Sequence, residues 1–444
     1  MKTTFVNGAC VIVESSGLKI ICDPWLTGET YYGSWSIYPP LQIDDKILQD
    51  IDLIYVSHIH PDHLHGLSLD KINKDAPVII HSFEEKFVKF KLEKMGRRVI
   101  ELKHGEKHDC GDGVGIHIYA ADNCDTNNST SFLGLGKSVA PPDESTGIDT
   151  VCVIENGKKV VLNVNDCPFE LTHSTVKRIM NIFGKPDLLL FPYNAAGSYP
   201  QCFENYSNEE KLLQASHKSQ KFLDMGLQYL NLCEPKYYLP FAGGYTLCGS
   251  LTDLNNFRGN PDAKTAFEYY KNKYDSGKGI LLNQLESFDL NTGNVSKKYS
   301  SPCPKDKMKY SEEVLKNKKY DYECDPEVSL DTILTLIPDS HNRFIKKAEE
   351  LNFITDKNIY IELPELKMVK IDVKRKEYKI IDKSDFNDNK YVIHKLDFKL
   401  LYRILRGPQY AHWDNATVGS HIQFYRKPDV YEKKIHWCMN YFHS

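Results

Sequence analysis

Long apolar runs are missing from this chain of 444 residues, and none approaches the roughly 20 residues that span a bilayer. The opening MKTTFVNGACVIVESSGLKIICDPW lacks the leucine-rich stretch and small-residue cleavage site of a secretory leader. A cytoplasmic protein with no membrane partner is therefore expected. Charge of one sign is scarce as well: 56 Lys and Arg against 60 Asp and Glu leave a formal net charge of −4. That is too little for the basic footprint of a nucleic-acid binder. Paired cysteines are absent, because the 12 Cys are scattered without a single C-x-x-C. This excludes a zinc ribbon or a cysteine-held iron–sulfur cluster and argues for free thiols in a reducing compartment. No internal repeat and no low-complexity tract interrupts the chain.

What is present reads as alternating short strands and helices. FVNGACVIVESSGLKIICDPW forms a hairpin turning at Ser15-Ser16-Gly17. The apolar runs at 52–57, 76–81, 115–119 and 186–191 are too short for helices and read as buried strands. Residues 150–155 and 158–163 flank Asn156-Gly157, the clearest hairpin signal in the chain. Helical patterns fall at 83–95 and 209–229, and the Asn-, Ser-, Gly- and Pro-rich stretch 122–147 reads as a long loop. From about 250 the composition turns to Lys, Tyr, Asp and Asn, and 358–385 alternates like an antiparallel meander. Two units are therefore expected: a first domain over 1–250, and an α+β extension over 251–444 that packs on it and sets its specificity.

Four of the 16 His cluster in Ser57-His58-Ile59-His60-Pro61-Asp62-His63-Leu64-His65, directly after a predicted strand. Alternate residues leaving a strand point the same way, so His58 and His60 present imidazoles to one ion. Asp62 and His63, in the turn beyond, reach a second ion beside it. Imidazole with carboxylate suits zinc, iron or manganese, and two such ions clamp an activated water. His65, His104, His108, His173 and His443 lack this context and are expected at the surface or in packing.

Taken with these residues, the opening hairpin, Ile21-Cys22-Asp23-Pro24-Trp25-Leu26 and the strand ending in Val164-Asn165-Asp166 resemble the metallo-β-lactamase superfamily. The resemblance implies an α/β fold: a metallo-β-lactamase-like αββα sandwich with a C-terminal α+β elaboration. It also implies that Asp166 bridges two divalent metal ions. A narrower likeness is carried by Asp23-Pro24-Trp25-Leu26, Asp166-Cys167, Ala195-Ala196-Gly197-Ser198-Tyr199-Pro200, Leu239-Pro240-Phe241-Ala242-Gly243-Gly244-Tyr245 and Arg426-Lys427-Pro428-Asp429-Val430-Tyr431. These segments look like the CMP-N-acetylneuraminate hydroxylases. Those enzymes also carry Rieske ligands spaced C-x-H and C-x-x-H, patterns that do not occur in this sequence. The further histidines usual in the superfamily are missing too. Asp122 is the leading candidate to replace one, with Asp125 and Asp149 behind it, and carboxylate for imidazole shifts preference toward harder ions.

Asn194, Gly197 and Ser198, and Gly243, Gly244 and Tyr245, each follow a predicted strand end. Their backbone can approach a ligand closely, so they are the candidate substrate-binding residues, with tight turns as the competing explanation. Trp25 and Tyr199 are candidates for the same cleft. The favoured reaction is hydrolysis, with Asp62 and Asp166 as catalytic carboxylates acting on a small, anionic, sugar-like or nucleotide-sugar substrate. It is favoured because H-x-H-x-D-H serves that chemistry most often and because it needs no electron donor. The alternatives are a non-haem di-iron, O₂-dependent hydroxylase supplied by a separate electron donor, and a non-catalytic ligand-binding module.

Overall fold

The computed structural model describes residues 1–83, 85–121 and 148–444. Two sheets face each other. The first has eight strands in the spatial order Asn294–Val295, Ser287–Asp289, Lys2–Asn7, Cys10–Ser15, Leu18–Cys22, Leu53–Tyr55, Val78–His81 and Val99–Leu102. The second has seven, in the order Lys278–Gly279, Tyr237–Phe241, Leu188–Pro192, Val160–Asn163, Thr150–Glu155, Val114–Ala120 and Lys107–Gly111.

The two-residue period of the strands sorts their side chains into layers. Val11, Val13, Ile20 and Cys22 meet Ile116, Ile118, Cys152, Ile154, Leu188 and Leu190 between the sheets. The alternate residues Cys10, Ile12 and Ile21 point outward onto Leu48, Leu69 and Leu92 of the flanking helices. On the other side Val151, Val153, Leu189 and Phe191 face the helices Phe169–Phe183, Asn208–Cys233 and Ala263–Lys273. The result is a helix–sheet–sheet–helix sandwich, the αββα architecture expected from the sequence.

Two local expectations are corrected. The hairpin after Glu155 does not close over two residues, because Glu155 pairs with Val160 and leaves Lys158 and Lys159 in the loop. The Asn156 side-chain oxygen accepts from the Lys158 and Lys159 N–H groups at 3.2 and 2.9 Å, which stabilises the longer turn. Nor does the sandwich stop at 250. Ser287–Asp289 pairs antiparallel with Lys2–Asn7, and Lys278–Gly279 runs parallel beside Tyr237–Phe241, so the chain returns to cover an edge of each sheet.

The rest builds a five-stranded sheet in the order Glu377–Asp382, Lys367–Asp372, Asn358–Glu362, Tyr391–Lys395 and Gln423–Lys427. Ile337–Glu350, Phe398–Leu405, Trp413–Val418 and Lys433–Met439 are among the helices that accompany it. Its core around Phe344, Ile361, Leu401 and Trp413 takes in Tyr199, Cys202 and Phe203 from the connection that follows Leu188–Pro192, which ties it to the sandwich. Among the described residues no helix is long and apolar enough to cross a membrane.

Candidate metal centre

The site forms where parallel strands end. Leu18–Cys22 and Leu53–Tyr55 run parallel, as do Val160–Asn163, Leu188–Pro192 and Tyr237–Phe241. Their C-terminal ends open into one cleft, as is usual for parallel sheets. Asp23, His58, Asp166, Asn194 and Gly243 each follow one of these strands. Asn165, at φ +60°, turns the chain so that Asp166 joins the histidines.

One ligand atom from each of His58, His63 and Asp166 lies within 4.8 Å of the others. His58 Nε2 and His60 Nδ1 face each other at 2.8 Å. His63 Nε2 is 3.4 Å from an oxygen of Asp62 and 3.4 Å from Asp166 Oδ2. Those separations are long for charged hydrogen bonds but suit donors gathered around a cation. Asp166 Oδ1 is buried and has no hydrogen-bond partner, an orphaned acceptor beside these nitrogens. Harbouring such an atom is costly unless something positive meets it. The donors therefore fit a metal centre: His58, His63 and Asp166 offer ligand atoms that meet, with His60 and Asp62 directly beside them.

Each inward-facing ring nitrogen is matched by a partner behind the ring. His58 Nδ1 is 2.9 Å from Ser57 Oγ. His63 Nδ1 is 3.2 Å from Asp23 Oδ2, and the other oxygen of this fully buried carboxylate accepts the Ser57 N–H at 2.7 Å. His60 Nε2 is 3.1 Å from Asp414 Oδ2. Tyr31 donates its hydroxyl to Asp62 Oδ1 at 2.7 Å. Such outer contacts fix the tautomer and angle of metal-binding histidines.

The electrostatics express the same arrangement. Burial, then the neighbouring His63, holds His58 well below the usual histidine range, leaving a neutral ring. Burial opposes charge on His60, yet the hydrogen bond and charge of Asp414, with Asp62 and Asp166, carry it up to about 8. Burial opposes charge on His63 too, but Asp62, Asp166 and Asp23 raise it well above normal. Asp62 and Asp166 are lowered despite their burial, chiefly by His63. Asp23 is raised, because burial outweighs its contact with His63. Asp62 and Asp166 thus stay ionised at the cleft.

The cleft encloses about 210 Å³. Asp149, Asn194, Gly197, Gly243, Gly244, Tyr245 and Trp25 line it. Asn194 donates to the Gly243 carbonyl at 2.8 Å and keeps its own Oδ1 buried and unpartnered. The ring of Tyr245 lies between Trp35, at 3.4 Å and 6°, and the Arg258 guanidinium, at 4.4 Å, so both its faces are used.

Two expected residues lie elsewhere. Ser198 is turned away from the cleft into a small neighbouring cavity with Phe203 and Tyr431. Tyr199 packs in the C-terminal core and donates to Gln214 at 2.9 Å. The chain turns after Gly197, where the Cys202 N–H donates to the Ser198 carbonyl at 2.9 Å, and both side chains leave the cleft wall. Asp122, the candidate for the missing ligand, and Asp125 lie outside the described residues. Several lining residues carried no sequence signal: Trp35, Phe222, Thr417, Val418, Asp414 and His436. The last four come from the C-terminal part, and no spacing ties them to the histidine cluster.

Part of the chain is similar to known proteins. Residues 2–134 match the family model described as "Beta-lactamase superfamily domain". A protein of Mycolicibacterium smegmatis named "Putative Rieske 2Fe-2S iron-sulfur protein" is 28% identical over 59% of this chain and 47% of its own length. The cytidine monophosphate-N-acetylneuraminic acid hydroxylase of Danio rerio is 25% identical over 55% of this chain and 38% of its own. The chain thus matches less than half the length of these relatives. The solved isothiocyanate hydrolase from Delia radicum gut bacteria is 12% identical, covering 65% of this chain and 99% of its own at a TM-score of 0.44. The expected likeness to the metallo-β-lactamase superfamily and to the CMP-N-acetylneuraminate hydroxylases is thus found in the family model and the hydroxylase relative, and the helix–sheet–sheet–helix sandwich is the fold expected of it.

Proposed function

We propose that the protein is a metal-dependent hydrolase that holds two divalent ions between the two sheets and acts on a small molecule in the cleft. The observation that carries this reading is the orphaned Asp166 Oδ1 beside inward-facing His58, His60 and His63 nitrogens. When bound, such ions supply an activated water at neutral pH and polarise an oxygen of the bond to be broken. The protein's own groups do the rest. Tyr31 holds one oxygen of Asp62 and so fixes this carboxylate beside His63, where it would orient the attacking water. Asn194, which lines the cleft and has an unpartnered Oδ1, would orient a donor on the substrate.

The lining pairs an apolar wall of Ala9, Trp25, Trp35, Pro168, Phe222 and Val418 with four aspartates. Among the described lining residues there is no lysine or arginine. An anionic group of the substrate, such as the carboxylate or phosphate of a nucleotide sugar, would therefore bind at the metal ions. Its less polar part would then lie along the tryptophans.

A second reading is O₂-dependent hydroxylation at a non-haem iron centre fed by a separate electron donor. It is favoured by the abundance of carboxylates at the cleft and by the name of the Danio rerio relative. Turnover assays separate the two. The metal-loaded protein is expected to cleave members of a panel of phosphodiester, lactone and amide substrates. Two irons per chain, with O₂ consumption by the reduced protein and no hydrolysis, would replace the first reading with the second.

A further inference from the structure

We infer that Asp414, from the C-terminal part of the chain, is a positioning residue of the metal centre: it holds His60 in the tautomer and orientation that bind the ion shared with His58. The inference rests on the metal-dependent reading above and extends it beyond the sandwich.

His60 has two ring nitrogens with different neighbours. Nδ1 lies 2.8 Å from His58 Nε2. Two nitrogens on one ion, each at about 2.0–2.1 Å, sit about 3 Å apart, so this face of the ring is the metal-binding one. Nε2 points the other way, to Asp414 Oδ2 at 3.1 Å. A carboxylate there keeps the proton on Nε2 and leaves the Nδ1 lone pair free for the ion, and it also makes that lone pair more basic. Asp414 does for His60 what Asp23 does for His63, but from more than three hundred residues away in the chain.

The carboxylate is itself held firmly. Its Oδ1 is 2.8 Å from His436 Nε2 on the helix Lys433–Met439. Its neighbour Trp413 is 2% exposed and donates its indole N–H to the Phe442 carbonyl at 2.9 Å. Asp414 and His436 both reach the cleft. The side chain is thus gripped by a ring on each oxygen and mounted on a buried tryptophan, the rigidity expected of a group that sets the angle of a ligand. It follows that the C-terminal part completes the metal centre as well as walling the cleft.

The test uses the full chain, freed of metal and titrated with Zn²⁺ and with Co²⁺ against a competing chelator. Asp414→Asn keeps the shape and one acceptor but offers an amide that can donate to Nε2, which would move the ring proton to Nδ1. Its affinity for the ion at His58 and His60 is expected to fall about 10- to 100-fold, and the visible Co²⁺ bands of that ion are expected to shift. The second ion should bind as before. His436→Gln leaves Asp414 in place and releases one of its two grips, so a smaller loss in the same direction is expected. It also serves as the second variant should Asp414→Asn fail to fold. Wild-type affinity and unchanged Co²⁺ bands in a folded Asp414→Asn or His436→Gln protein would overturn the inference. Failure of the wild-type protein to bind either metal would instead overturn the metal-dependent reading.

Discussion

Asp23 offers the sharpest perturbation of the centre because its two oxygens do separable work. One accepts the Ser57 N–H at 2.7 Å, which fixes the start of the histidine loop. The other lies 3.2 Å from His63 Nδ1 and orients that ring. Asp23 is fully buried and Ser57 is 1% exposed, so water cannot replace either partner. Asp23→Ala leaves a buried N–H unpaired, at about 1–3 kcal/mol. It also breaks a buried charged contact, so the total loss of stability is expected to be about 3–5 kcal/mol. Asp23→Asn can keep the Ser57 bond through its oxygen. Its amide N–H₂ then faces His63 Nδ1 and forces the ring proton onto Nε2, the nitrogen that faces Asp62 and Asp166. Stability should fall by no more than about 1–2 kcal/mol, whereas affinity for the ion at His63 should fall by about 10- to 100-fold or more. Urea unfolding of the metal-free variants gives the first quantity, and chelator competition gives the second. The reasoning fails if Asp23→Asn binds metal like the wild type, or if Asp23→Ala costs less than about 1 kcal/mol.

Two further predictions concern the surrounding fold. Burial lowers Lys218 from 10.5 to about 7, and its ammonium donates to the Tyr199 carbonyl at 2.8 Å. The unfolded chain therefore binds more protons than the folded one between those values, and stability should rise with pH across that window. Relative to Lys218→Met, which cannot titrate, the wild type should gain about 1–2 kcal/mol between about pH 7 and 8.5. Denaturant curves giving a constant difference would contradict this. At Gly243 an added Cβ would lie 2.5 Å from Asn194 Nδ2 and 2.9 Å from Tyr193 Cζ. Gly243→Ala should therefore cost about 1–3 kcal/mol by thermal or chemical unfolding and displace Asn194 from the cleft, and an unchanged stability would contradict the packing.

What could be read from the sequence was what local patterns encode. The hairpin through Ser15-Ser16-Gly17 and the short buried strands follow from two-residue alternation and turn residues. His58, His60, Asp62 and His63 follow because one strand end and one turn carry all four. Asp166 became legible through its place after another strand, together with the family resemblance. The outer contacts were not legible, because they depend on distant segments meeting. Asp414 and His436 lie on helices far along the chain, and only the docking of the C-terminal core around Tyr199 and Phe203 brings them to His60. Tyr199, which looked like a cleft residue, packs instead into that core. The boundary near 250 misled because composition changes there, whereas the sheet edges are completed by residues 278–295. A shift in surface character says little about which backbone groups still need a partner.

The central claim, that the ends of the strands hold metal, is tested most directly by metal stoichiometry. The full chain is incubated with Zn²⁺, Mn²⁺ or Fe²⁺, passed over a chelating resin and measured by elemental analysis beside Asp166→Ala. The wild-type protein should retain two ions per chain of at least one of these metals, and Asp166→Ala, which removes the carboxylate with the orphaned Oδ1, should lose one or both while remaining folded. A wild-type protein that retains none of the three, or an Asp166→Ala protein with undiminished metal, would contradict the account.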